Sequence, residues 1–206
     1  LPDYNVYIKK GCEFLELPAP KDLNEALDGL LILYSHVPSI TTFPVYIGRL
    51  DMLLDPFITD EEQDYIKIKR FLNHVDKTVP DSFCHANIGP YDTKAGRLIL
   101  KAVIELEAPT PNMTIRYDKS KTSREFAELA AKACLLVSKP SFANDAYYIS
   151  DLGEQYGIAS CYNALPECGG AYTLTRLRLG TIARACKTVD EMVNELLPRV
   201  AKCALS

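Results

Sequence analysis

The sequence lacks any apolar run near the roughly 20 residues that a bilayer-crossing helix needs, so a membrane is not an expected partner. It lacks a basic excess: a net charge of −4 offers no face for a polyanion, and nucleic acid is not expected either. It lacks a Cys-x-x-Cys pair. The seven cysteines, Cys12, Cys84, Cys134, Cys161, Cys168, Cys186 and Cys203, are odd in number and scattered. That argues against a disulfide framework or a structural zinc site, and for reduced thiols in a cytoplasmic setting. A phosphate-cradling Gly-rich loop, a metalloprotease histidine pair and a nucleophile elbow are missing too, as are repeats and low-complexity segments. No initiator Met or signal-like start precedes the chain, and Ser206 directly follows a helical pattern, so the expectation is a piece of something longer.

What is there reads as an ordinary globular interior. Of 206 residues, 48% are apolar and 24% charged, enough to bury a core. The alternating Tyr4, Val6 and Ile8 predict an edge strand. Leu23, Ala26, Leu27, Leu30, Leu31 and Tyr34 have the three-and-four spacing of an amphipathic helix, predicted to stop near His36 because of Pro38. Val45-Tyr46-Ile47 predicts a buried strand ending at Gly48, with Arg49 and Asp51 as an ion pair, a loop clamp or a substrate contact. Thr59-Asp60-Glu61-Glu62 predicts a helix start. Cys84-His85 then falls in a strand, where neighbours point to opposite faces and rarely share one site. Asp92 is the predicted cap of the next helix. A strand at Met113–Asp118, a helix opened by Thr122-Ser123, a turn at Asn144-Asp145 and a short strand at Ile158–Cys161 follow. Ala146 to Gly157 is poorly patterned. A helix from Thr173 to about Lys187 precedes a capping box at Thr188-Val189-Asp190-Glu191, and Pro198 is expected to kink the final helix. Helices alternating with short strands mean α/β organisation, with the strands buried between covering helices.

The stretch that carries chemistry is Tyr156-Gly157-Ile158-Ala159-Ser160-Cys161-Tyr162-Asn163, followed by Pro166-Glu167-Cys168-Gly169-Gly170. A short apolar run ends in a cysteine, and the Pro- and Gly-bearing residues after it cannot extend a strand. That puts a thiol at a strand-to-loop turn, the position where α/β folds bind ligands. A buried packing cysteine is the plain alternative.

The order of motifs around this stretch resembles the glycyl radical enzymes, and within them the YjjI-type proteins related to pyruvate formate-lyase. The match runs through Pro111-Asn112-Met113-Thr114-Ile115, Phe142-Ala143-Asn144-Asp145, Ile158-Ala159-Ser160-Cys161 and Gly169-Gly170-Ala171-Tyr172-Thr173-Leu174-Thr175-Arg176-Leu177. Upstream, Ile47-Gly48-Arg49-Leu50-Asp51 with Pro56-Phe57 resembles a segment common in the superfamily. The resemblance implies part of a ten-stranded α/β barrel of the glycyl radical enzyme type: a first half-barrel plus a cysteine finger loop, within a single partial domain over residues 1–206. It implies that Cys161 becomes a thiyl radical that abstracts hydrogen from a small organic substrate. The cofactor is a glycyl radical on a glycine outside this segment, installed by a radical-SAM activating enzyme, with no metal in this chain. A homodimer and anaerobic metabolism go with it.

None of the ten glycines sits in the Arg-Val-x-Gly-Tyr type of loop that carries the family's radical, so this segment should not turn over alone. Pyruvate formate-lyase has two adjacent cysteines at the finger; here the pair is Ser160-Cys161, which favours single-thiyl chemistry over acyl transfer. Ser160, Tyr162, Asn163 and Arg116 are the candidate substrate contacts, with an ion pair to Asp118 or another acid as the alternative for Arg116. Cys168 has no assigned role. Two other readings stay open: a non-catalytic binding or partner module that keeps the fold, and a thiolate enzyme using Cys161 as nucleophile.

Overall fold

The computed structural model describes residues 4–40, 45–78, 84–159, 163–166 and 179–205. They fall into two compact units, 1–167 and 168–206. Helix α1 (Tyr4–Lys10) stands where alternation predicts an edge strand. Tyr4 and Tyr7 are buried while Val6 is exposed, a spacing of three that only a helix turns to one side. Helix α2 (Leu23–Ile40) buries Leu23, Ala26, Leu27, Leu30 and Tyr34 as predicted. It runs through Pro38 to Ile40, past the expected stop at His36. A proline two residues from a helix end removes a single i→i−4 bond there, a smaller penalty than in mid-helix.

Strand β1 (Val45–Arg49) passes into the short helix α3 (Leu50–Leu54) and a 3₁₀ turn, Asp55–Phe57. Helix α4 (Glu61–Thr78), strand β2 (Cys84–Ile88), helix α5 (Lys94–Leu106), strand β3 (Asn112–Tyr117) and helix α6 (Arg124–Val137) follow. The cap of α5 is Thr93, whose hydroxyl accepts from the Gly96 amide, and not Asp92. The Asp92 carboxylate instead takes a two-pronged ion pair from Arg97 and a hydrogen bond from the Ser123 hydroxyl, tying the starts of α5 and α6 together. Two elements escaped the sequence pattern. Strand β4 (Ser141–Asn144) and helix α7 (Asp145–Leu152) occupy the stretch read as a turn and an unpatterned segment. Both are short, and half-exposed Phe142 and exposed Tyr147 blur their periodicity.

The four strands pair in parallel in the order β1-β2-β3-β4. Right-handed crossovers between strands taken in consecutive order place every connecting helix on the same face. One large core accordingly joins Val45, Ile47, Cys84, Ala86, Ile88, Met113 and Ile115 of the strands to Leu30, Leu54, Leu72, Ile99 and Phe126 of the helices. Each such large side chain contributes about 1.5–3 kcal/mol by leaving water. The expectation of strands sandwiched between helices is therefore corrected. Helices α2 to α6 take one face, and an antiparallel hairpin of β5 (Tyr156–Ala159) and β6 (Asn163–Pro166) is tied to the other. Among the described residues the sheet is open, with no closed barrel.

In the second unit, helix α8 (Leu179–Ala185) precedes a short helix α9 (Val189–Glu191), a π-helical turn Met192–Leu196 and helix α10 (Leu197–Leu205). Thr188 caps α9 by accepting from the Glu191 amide, and the Glu191 carboxylate reaches back to the Lys187 amide. Pro198, expected to kink the final helix, is the second residue of α10, which follows the π-helical turn directly. Residues 173–178 of the helix predicted from Thr173 lie outside the described residues.

Candidate functional site

The face of the sheet away from the helices is lined by polar side chains. In β2 the alternation is strict: Cys84, Ala86 and Ile88 join the helix-side core, and His85 and Asn87 point the other way, yet all five are buried. The register extends the polar face sideways. Tyr46, His85 and Asn112 form one row; Asn87, Thr114 and Ser141 the next; Arg116 and Ala143 a third. Cys84 and His85 thus sit on opposite faces, as their adjacency in a strand dictates. Cys84 is fully buried in the helix-side core, where it packs, and burial pushes its thiol up to about 12, with the Tyr34 hydroxyl pulling the other way.

The hairpin is held to this face at two points of β5. At the first, the Asn87 side chain pairs with the Ile158 peptide. Its Nδ2 donates to the Ile158 carbonyl and its Oδ1 accepts from the Ile158 amide, both at 2.9 Å. The Tyr46 hydroxyl donates to the same Oδ1 at 3.0 Å. The Tyr46 ring lies so close to the Gly157 backbone that a Cβ there would stand 2.3 Å from it. Only glycine lets the strand approach.

At the second point, Arg116 is buried under the strand. Its Nε donates to Asp145 Oδ1 at 2.7 Å, and its two terminal nitrogens donate to the Tyr156 and Glu154 carbonyls. The guanidinium also stacks on the Tyr156 ring, 4.0 Å from its centre. The Tyr156 hydroxyl donates to Asp145 Oδ1 at 2.8 Å. Burial first, and the Asp145 bond second, raise the Tyr156 pKa against the pull of Arg116, which keeps the phenol a neutral donor. Lys121 closes the network with ion pairs to Asp145 and Asp118. Of the alternatives for Arg116, the ion pair is present, and its acid is Asp145. Between the sheet and this hairpin lies a cavity of about 160 Å³, lined by Thr114, Ser141 and Asn144, Tyr148 of α7 and Ile158.

The end of β5 leads to the thiol singled out in the sequence. Ala159 pairs with Asn163 across the hairpin, and Ser160, Cys161 and Tyr162 link them along the chain. These three, and Cys168, lie outside the described residues. Asn163 is exposed at the start of β6. Sequence reasoning missed Tyr46, Asn87, Asp145 and Tyr156. The signal was the alternation in Cys84-His85-Ala86-Asn87-Ile88: polar residues at every second position of a buried strand mark a second, polar-lined face. Among the described residues no three His, Cys, Asp or Glu side chains gather as a metal site, and no helix is long and apolar enough to cross a membrane.

Asp51, the other residue singled out near a strand end, is a loop clamp. Its carboxylate accepts from the Gly89 and Met52 amides, each at 2.8 Å, and from the Thr93 hydroxyl. Asp55 accepts from the Ala95 amide. Together they lock the β2–α5 turn to the end of β1.

Residues 1–206 match the model of the family described as "Glycyl radical enzyme YjjI-like". The chain is 92% identical, over all its 206 residues, to an uncharacterized protein of Haemophilus influenzae, of which it covers 40%. It is 45% identical over 201 residues to the uncharacterized protein YjjI of Escherichia coli, with 96% of this chain and 39% of that protein covered. It therefore spans about two fifths of the length of these curated relatives.

Proposed function

The chain belongs to the YjjI-like glycyl radical enzyme family, and from that premise we propose that it is the segment of an anaerobic radical enzyme whose reacting atom is the sulfur of Cys161. The observation that carries the reading is the family match over the whole chain, with Cys161 placed by sequence between the paired ends of a hairpin anchored to a buried polar face. The parallel sheet with consecutive strand order and helices α2 to α6 on one face is compatible with a barrel wall. It supports a half-barrel of the larger ten-stranded barrel, with the hairpin as its finger.

A radical on a glycine outside this segment, the cofactor that the family implies, would accept the hydrogen atom of the Cys161 thiol, S–H breaking as the glycine C–H forms, and leave the unpaired electron on the sulfur. The residues present fit such chemistry: Tyr156 and Ile158 at the hairpin root are buried, and the Ile158 peptide is hydrogen-bonded on both sides by Asn87, the kind of shielded setting that a species avoiding stray hydrogen donors requires. The thiyl then takes a hydrogen atom from a substrate C–H bond. The C–H bond breaks, S–H forms, and the unpaired electron passes to carbon; return of the hydrogen atom to the product radical restores the thiyl. No lowered thiol pKa is needed, since the thiolate does not react.

The cavity between sheet and hairpin offers room beside a small organic substrate, whose proposed contacts, Ser160, Tyr162 and Asn163, come from the family resemblance. Arg116, whose guanidinium is engaged by Asp145 and the hairpin carbonyls, enters the reading as the support of that wall and not as a free carboxylate receptor. A radical-SAM activating enzyme, a homodimer and a cytoplasmic location complete the proposal.

The test is anaerobic activation of the full-length protein followed by electron paramagnetic resonance. The wild type is expected to show a glycyl doublet. Cys161→Ser is expected to keep the doublet and lose all hydrogen transfer to substrate. A protein that shows no radical, or a Cys161→Ser variant that behaves as the wild type, would sink the reading and leave the non-catalytic module.

A further inference from the structure

Asn87 is a fully buried amide at the centre of the sheet, and its three described hydrogen bonds go to one peptide of the hairpin and to Tyr46. An amide buried only for stability is a weak device, because a satisfied hydrogen bond largely exchanges a bond to water for one within the protein. What it adds is direction. The side-chain amide presents a donor and an acceptor side by side, as a neighbouring strand would, and matches one peptide only. A slip of one residue would turn every side chain of β5 to the other face. The Gly157 backbone against the Tyr46 ring blocks the same slip sterically. Arg116 holds Tyr156 two residues earlier, so the strand is pinned twice from two adjacent sheet strands. Ile158 stands three residues before Cys161.

We propose that Asn87 is a positioning residue of the radical reaction: its amide docks the Ile158 peptide and so sets the reach of Cys161 toward both the radical glycine and the substrate. This assignment stands on the reading of Cys161 as the thiyl residue. Hydrogen-atom transfer requires near-contact of the two atoms, and a misplacement of about 1 Å is worth on the order of 100-fold in rate. Loss of the dock therefore slows transfer without touching any reacting group.

The test needs no knowledge of the substrate. When hydrogen passes between the Cys161 sulfur and the radical carbon, S–H breaks and C–H forms, and the reverse step returns either hydrogen. The thiol exchanges with solvent, so in D₂O the glycyl doublet collapses to a singlet at a rate set by that transfer. Asn87→Asp keeps the shape and the acceptor for the Ile158 amide but removes the donor to its carbonyl. Tyr46→Phe removes one hydroxyl bond and leaves the ring. Both are made in the full-length protein, and deuterium exchange of the peptide containing Ile158 is followed alongside.

The expected result is a normal radical yield, faster amide exchange at Ile158, and doublet collapse slowed about tenfold or more in Asn87→Asp and by a smaller factor in Tyr46→Phe. If Asn87→Asp does not fold, Tyr46→Phe decides. Unchanged collapse in the folded variants, or loss of Ile158 protection with unchanged collapse, overturns the positioning role while leaving the radical enzyme intact. A wild type with no doublet overturns the reading beneath it, and the assignment with it; a doublet that never collapses in the wild type does the same.

Discussion

A single carboxylate shows how much a residue can do without touching substrate. Asp51 is fully buried and accepts from two backbone amides and a hydroxyl, with Gly89 and Thr93 on one oxygen and Met52 on the other. Asp51→Asn keeps the volume but turns an NH₂ toward an amide donor whichever way the side chain flips. One buried donor then faces another, a penalty of about 1–3 kcal/mol. The expected outcome is an unfolding free energy lowered by about that amount, read as a lower urea midpoint with an unchanged slope. An unchanged midpoint would mean that the clamp is not under load. Sequence alone left Asp51 open between clamp, ion pair and substrate contact. Spacing reports which face a residue takes, and the distant turn at Gly89 is brought to it only by folding.

At the scale of elements, the unit to consider is the hairpin with α7 and the Arg116 network. Arginine meets three acceptors on different residues and stacks on a fourth group, a demand set by its planar fork. Lysine can reach Asp145 but not the carbonyls of Glu154 and Tyr156 at once. Arg116→Lys is expected to cost about 2 kcal/mol or more, and Arg116→Ala about 3–5, because Asp145 then stays buried without its main partner. Exchange measured by mass spectrometry should rise in α7 and β5 while β2 and α5 stay protected. Uniform loosening of the whole sheet would show that the network serves the core and not the hairpin. The long helices were legible because apolar residues recur on one side over many positions, and β1 and β3 because their short runs are rich in β-branched and aromatic residues, Val45-Tyr46-Ile47 and Thr114-Ile115-Arg116-Tyr117. The edge strand β4, the short helix α7 and the helical turn at Tyr4 were not, since a run of four to eight residues holds too few repeats to separate the two periods.

For the molecule as a whole, two kinds of carboxylate set the pH profile. Burial pushes Asp51 up from 3.8 to about 6, against the amides of Gly89 and Met52 that pull it down. Its contribution to stability is fully present below pH 3.8 and is lost as pH rises through about 6. Asp92 is held below the usual range by Arg97, against burial; at Asp64 burial is outweighed by Lys67 and the Asp60 and Thr59 amides. Their contributions are present above pH 3.8 and vanish as pH falls through their lowered values. Stability is therefore expected to rise as pH falls from 7 toward 5 and to drop below about 3.8. Urea unfolding across that range checks it; a steady loss from pH 7 to 5 would contradict the burial of an ionisable Asp51.

The sequence by itself determined the α/β class, the helix-side core and the family resemblance. Each is carried by local periodicity or by motif order, which survive in one dimension. It also argued against a site shared by Cys84 and His85, because a strand alternates. Only the tertiary structure decided that the helices cover one face of the sheet, that the other is polar, and that Tyr46, Asn87 and Arg116 converge on one hairpin. Asn87 and Ile158 lie 71 residues apart. Pairing at such a separation follows from strand order and register, which no local pattern encodes.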